Sequence, residues 1–193
     1  MSTRDTLLRA ALRLLEQDGE SRFSTRAVCT AANVTAPTLY HHFGSADGLL
    51  SAALMEGFRQ LLTRKKAVER SPDAESALRQ GWDDYVRFAK DRPRLYAAMM
   101  ARFLQGATIP AAEEAFAHLR LQIDALAAEG RLALKAPQAA SLMWAAASAA
   151  ALLHVTAALG ATKQLPAPEP KVIKSIRDQA IASICKPRSE NET

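Results

Sequence analysis

Residues 24–43 read "STRAVCTAANVTAPTLYHHF" and contain two helix starts within twenty positions. Ser24 has a hydroxyl able to accept a first-turn N–H, and Phe23 before it is spaced to pack on Val28 as a staple. That helix ends near Ala32 and Asn33, and asparagine is the non-glycine residue that best tolerates a left-handed turn. The device then repeats. Thr35 stands at a cap position, Val34 and Leu39 have the staple spacing, and Pro37 lies in a first turn, where its missing N–H costs little. Two short helices joined by a turn of about three to four residues form a helix-turn-helix.

On a wheel advancing about 100° per residue, Leu39 and Phe43 fall together, with Ala36 and His42 on their flanks. Pro37, Thr38, Tyr40 and His41 fall on the opposite arc. The two apolar side chains therefore anchor the helix, and a hydroxyl, a phenol and an imidazole face outward. Adjacent histidines diverge by about 100°, so one helix cannot bring His41 and His42 to one metal ion. No Cys, Asp or Glu lies between residues 30 and 46 to complete a ligand set or to orient a catalytic histidine. No metal, cofactor or catalytic cluster is expected. The outward groups suit phosphate oxygens and base edges, and the helix starts at Ser24–Thr25 and Thr35–Ala36 present free N–H groups to phosphate.

Outward from this motif the chain reads as all-α, with about nine helices and no sustained period-two alternation. A first helix from about Thr3 to Asp18 carries a stripe of Leu7, Leu8, Ala11, Leu12, Leu14 and Leu15, and Gly19 terminates it. After Gly44, Ser45 caps a helix over residues 46–70 that Ser71-Pro72-Asp73 breaks. Further helices cover residues 74–90, 93–106 and 110–130, followed by an uncharged stretch over 136–162. "PAPEP" at 166–170 is a stiff connector, and the last helix carries Ile173, Ile176, Ala180 and Ile184 on one stripe. The organisation expected is an N-terminal helix-turn-helix domain, residues 1–46, and a larger helical ligand-binding and dimerisation domain, residues 47–193.

Composition narrows the setting. The 193 residues are 49% hydrophobic with a formal charge of +5, which permits a polyanionic partner without demanding one. Two distant cysteines, Cys29 and Cys185, suit a reducing compartment, and the N-terminus lacks the pattern of a signal peptide. A cytoplasmic protein is expected. The uncharged stretch is long enough to span a bilayer, but it is largely alanine and contains Pro137, Gln138, Ser141, Ser148, His154 and Thr156. It reads as a helix covered on several sides, by its own domain and by a partner subunit. Within residues 1–50, Arg4, Arg9, Arg13, Arg22 and Arg26 balance Asp5, Glu16, Asp18, Glu20 and Asp47. Grip on a duplex must then come from Arg4, Arg22 and Arg26, helped by Arg64-Lys65-Lys66. The salt dependence is shallow, and two copies on a palindromic site make up the affinity.

Residues 23–54, "FSTRAVCTAANVTAPTLYHHFGSADGLLSAAL", together with the preceding helix, resemble the DNA-binding region of the TetR family of transcriptional regulators. Helix lengths, turn and the Leu-Tyr-x-His-Phe core agree together; beyond them only helix count and the segment Arg92 to Tyr96 match. The resemblance implies a homodimeric repressor released from a double-stranded DNA operator by a small-molecule effector. By position Thr25 and Arg26 would touch phosphate, Thr35, Pro37, Thr38, Tyr40 and His41 would lie at the major groove, and His42 near the backbone. Dimerisation through the last two helices would involve Ala146, Ala150 and His154 together with Ile173, Ile176, Ala180 and Ile184. Two departures stand out. Asn33 replaces the usual turn glycine, and Ala46 replaces a lysine expected to contact phosphate, which shifts the grip onto Arg22 and Arg26.

Trp82, Tyr85, Phe88, Tyr96, Met99 and Met100 gather in the central helices with Phe103, Phe116, Met143 and Trp144. Singly, most such residues fill a core. Together they can wall an apolar cavity for a lipophilic effector, with His118 and His154 as polar contacts. Glu114 and His118, one turn apart, read as a solvated pair. The competing readings are a helical small-molecule carrier or enzyme whose helix-turn-helix is incidental, and a dimeric scaffold without a pocket.

Overall fold

A computed structural model describes residues 2–67, 73–107, 110–160 and 166–187. The Ser71–Pro72 break and the side chains of Arg64, Lys65 and Lys66 lie outside the described residues. The helices are α1 (Thr3–Asp18), α2 (Thr25–Ala32), α3 (Ala36–Phe43), α4 (Ala46–Ala67), α5 (Ala74–Asp91), α6 (Pro93–Leu104), α7 (Pro110–Ala128), α8 (Ala136–Leu159) and α9 (Pro170–Ile184). A single 3-10 turn, Glu20–Arg22, follows α1. The fold is all-α; the described residues include no strand, only an antiparallel bridge between Leu132 and Cys185.

Local signals set most boundaries. Ser24 accepts the Ala27 N–H at 3.2 Å, and Asn33 takes the left-handed conformation, φ 54° and ψ 50°. α1 opens with a reciprocal box that the sequence reading missed: the Asp5 N–H donates to the Ser2 hydroxyl, and the Ser2 N–H to the Asp5 carboxylate. The expected Thr35 cap is corrected. Thr35 occupies the cap position, but its hydroxyl receives no backbone N–H and instead pairs with the Thr38 hydroxyl at 3.0 Å. Pro37 at the second helical position has no N–H to offer.

α1 packs against α2, α4 and α6, so α4 is shared between the helix-turn-helix and the helices that follow. Leu49, Leu50, Ala53, Leu54 and Phe58 are its buried face. α8 is the hub of the rest and packs on α5, α6, α7 and α9. Ala139, Ala140, Ala147, Ala150 and Ala151 are buried there, and their small side chains let the neighbouring backbones come close. By length and composition α8 could cross a membrane, yet one side of it is the seat of this bundle. Leu152, Leu153 and Leu159 of α8 are left exposed, as is Val172 of α9.

The stripe expected on the last two helices is partly used inside the chain itself. Ala150, Ala180 and Ile184 are buried within their own chain, while Ala146, Ile173 and Ile176 are half-buried against its core. α9 spends that stripe on α8 and α5. Polar bonds secure it. Arg79 bonds both Glu75 and Asp178, Arg177 bonds Asp83, and Arg131 bonds Glu75 and Asp73. Burial by itself raises the Glu75 carboxyl pKa, but the hydrogen bonds from Arg79 and Arg131 outweigh it and hold the group below its ordinary range.

One glycine fixes the α3–α4 junction. Gly48, whose N–H is capped by Ser45 at 2.9 Å, faces the end of α3; a Cβ there would stand 2.2 Å from the Phe43 carbonyl oxygen. Alanine is the better helix former by about 1 kcal/mol, yet the obstacle is backbone and cannot rotate away. Gly48→Ala is expected to lower stability by about 1–3 kcal/mol through overpacking, read by urea unfolding. A gain in stability would show that the junction has room.

Candidate nucleic-acid interface and ligand cavity

Leu39 is fully buried, and Phe43 is half-buried with the Arg4 guanidinium 5.3 Å from its ring centroid. Exposing a leucine of this kind costs about 1.5–3 kcal/mol, so α3 cannot roll over in its seat. The opposite arc is left outside. Pro37 and His41 are exposed, Tyr40 is 45% exposed and Thr38 half-buried. His42 is half-buried at the edge, its ring 5.3 Å from that of His41 and turned by 66°. The two imidazoles diverge, as the wheel requires. Among the described residues no three His, Cys, Asp or Glu side chains gather as a metal set.

Thr25 and Arg26 open α2, the first half-buried and the second exposed; Thr35 is exposed at the start of α3. Both helix starts thus point the same chemistry outward, N–H groups with hydroxyls beside them. The cations are thinly spread. Arg22 lies 4.0 Å from Asp18, which offsets part of its charge, and Arg4 is engaged with Phe43. Ala46 opens α4 as an exposed side chain without charge. The face offers shape and hydrogen bonding more than field.

The aromatic candidates separate into three environments. Phe103, Phe116 and Trp144 line an open groove of about 650 Å³ between the end of α6, α7 and α8. Trp82, Tyr85 and Trp144 line a second, smaller cavity further in. Met143 also lines the smaller cavity, whereas Phe88, Tyr96, Met99 and Met100 line neither. The Phe88 ring packs on Phe58 at 5.9 Å, Met99 is buried, Met100 is half-buried against the core, and Tyr96 hydrogen-bonds Tyr85 hydroxyl to hydroxyl at 3.1 Å. His154 is half-buried, and burial together with the nearby Lys90 charge pushes its pKa down. His118 stands 3.8 Å from Glu114 as a surface pair. The sequence reading missed Ala112, Glu113, Ala117, Arg120 and Ser141 in the groove wall. Glu113, Phe116, Ala117 and Arg120 share one face at spacings of three and four, a pattern that the sequence carries without an aromatic repeat.

The α6 end of the groove connects to the helix-turn-helix. Phe103 lines the groove, and its neighbour Arg102 bonds the Asp47 carboxylate and, at 3.1 Å, the Ser51 hydroxyl in the first turns of α4. Arg92 at the other end of α6 forms an ion pair with Glu16 of α1 at 3.2 Å and donates a hydrogen bond to the Gln60 side-chain carbonyl of α4 at 2.9 Å.

Residues 7–53 match the profile of the bacterial regulatory proteins of the tetR family. The HTH-type transcriptional regulator UidR of Escherichia coli is 32% identical over 62 residues, a stretch covering 32% of this chain and 32% of UidR. The chain thus aligns with about a third of the length of that relative. Similarity in fold extends further. A TetR transcription regulator from Haloarcula marismortui superposes with a TM-score of 0.72 at 14% identity, over 95% of this chain and 98% of that one. A transcriptional regulator from Rhodococcus sp. Rha1 gives 0.72 at 24% identity over 95% and 96% of the two chains. GusR of Salmonella enterica gives 0.65 at 21% identity over 94% and 95%.

Because the His41 side chain is exposed, His41→Ala is expected to leave the melting temperature within about 2 °C of the parent. A larger fall in a thermal scan would place the imidazole in the core.

Proposed function

Since the chain belongs to the tetR family of bacterial regulatory proteins through residues 7–53, we propose that it is a cytoplasmic transcriptional repressor, not an enzyme, that binds a palindromic DNA operator as a homodimer and leaves it when a small apolar effector enters the α6–α8 groove. The observation that carries the reading is the orientation of α3: Leu39 is fully buried, and Pro37, Tyr40 and His41 stand exposed opposite it. In this reading residues 1–46 meet DNA and residues 47–193 hold the effector and the second copy.

Thr25 and Arg26 then bond phosphate at the start of α2, and Thr35, Pro37, Thr38, Tyr40 and His41 enter the major groove, with His42 beside the backbone. One such module binds weakly. The second copy supplies the rest, and the exposed Leu152, Leu153 and Leu159 of α8 and Val172 of α9 are the apolar side chains it would cover. Release follows from the strut at Arg102. An effector that displaces Phe103 moves Arg102, and with it the Asp47 and Ser51 turns of α4 that follow α3 directly. The two reading heads then no longer match their half-sites. The effector needs only to favour that arrangement by a few kcal/mol.

Two measurements test this reading. Selection of bound fragments from a random duplex pool is expected to return a two-fold symmetric consensus, and His41→Ala is expected to weaken binding to it. Recovery of no enriched sequence would leave the helix-turn-helix incidental. Ala46→Lys restores a cation at the start of α4, so it is expected to tighten binding to any duplex and to steepen the plot of log affinity against log salt by about 0.9. An unchanged slope would mean that this end of α4 does not approach phosphate.

A further inference from the structure

The inner cavity has a chemistry of its own. Trp144 is the wall it shares with the outer groove: its ring lies 5.5 Å from Phe116, a groove residue, and 5.5 Å from Tyr85, which lines the inner space. That inner space is about 40 Å³, room for one small polar group, and Gly81, Trp82, Gln122 and Met143 also line it. Trp82 is 4% exposed, and its indole N–H is buried with no acceptor among the described residues. Native interiors seldom carry such an orphan donor, and an indole N–H can only donate.

Gly81 lies inside α5, where alanine would make the better helix, yet a Cβ there would stand 3.0 Å from the Gln122 Oε1 atom. The glycine admits the Gln122 amide, which donates to the Ala77 carbonyl at 3.1 Å. Beside it the Tyr85 and Tyr96 hydroxyls bond each other, and burial pushes both phenol pKa values up, so both stay neutral. No charged or polar residue is buried among the described residues. The charged lining residues of the outer groove, Glu113 and Arg120, are exposed and opposite in sign.

Resting on the effector reading above, we propose that the effector is an uncharged molecule with a flat apolar body in the outer groove and a terminal hydrogen-bond acceptor, such as a carbonyl oxygen, that passes Trp144 and takes the Trp82 N–H. An ionised terminal group would lose its water there and meet no countercharge. A hydrocarbon terminus would leave the indole donor unsatisfied.

Four probes decide it: the acetyl, ethyl, carboxylate and aminomethyl derivatives of naphthalene, substituted at the same ring position and titrated calorimetrically into the full chain and into Trp82→Phe. The acetyl probe is expected to bind about tenfold or more tightly than either ionic probe. Trp82→Phe is expected to weaken the acetyl probe by about three- to tenfold and to leave the ethyl probe within about twofold, since phenylalanine keeps an aromatic wall and removes only the donor. Equal or tighter binding of an ionic probe, or equal effects of Trp82→Phe on the acetyl and ethyl probes, would overturn the proposal while leaving the groove a ligand site. If none of the four binds at millimolar concentration, the groove is not an apolar ligand site and the effector reading falls with the proposal.

Discussion

Burial of the Leu39 side chain decides which face of α3 the chain offers to other molecules. The residue has no exposed surface, and α3 is eight residues long, too short to hold a helix in isolation. Its geometry is therefore borrowed from what it sits on, α2 behind and α4 beyond. Gly48 sets how closely α4 approaches, because the Phe43 carbonyl occupies the space a side chain would need. The exposed arc of Pro37, Tyr40 and His41 is the consequence of those two packing constraints.

The remainder of the bundle depends on α8. A helix without formal charge and with several buried alanines can take helical neighbours on more than one side at short range. Dispersion and apolar burial do this without direction, so directional contacts set the register of the last helix. Arg79, Arg131 and Arg177 reach acidic partners on α5 and α9 or ahead of them, and the backbone of Lys186 donates to the Arg131 carbonyl at 2.7 Å. Each of these ion pairs is partly exposed and individually worth little. Their value here is geometric.

Between these two regions α6 acts as a rigid spacer. Its first turn is held to α1 and α4 through Arg92, and its last turn to the start of α4 through Arg102. Phe103 places the groove one residue from that second contact. Two contacts on one short helix leave few ways for it to shift alone, which gives the proposed coupling a defined lever: the first turns of α4, directly behind α3.

The sequence by itself determined the all-α class, most helix starts, the left-handed turn at Asn33 and the outward arc of α3. Each depends on residues within one or two turns of each other, where caps, staples and the helical period act regardless of context. It also carried the family resemblance, which lies in the same local pattern. Tertiary structure alone decided what those local elements meet. It turned Ala180 and Ile184 inward onto their own chain, sent Phe88 to Phe58 while Phe103 faced the groove, and left the Trp82 indole without an acceptor among the described residues. An apolar stripe or an aromatic ring in sequence shows that burial is favoured. Which surface buries it depends on residues tens of positions away, and no local period records them.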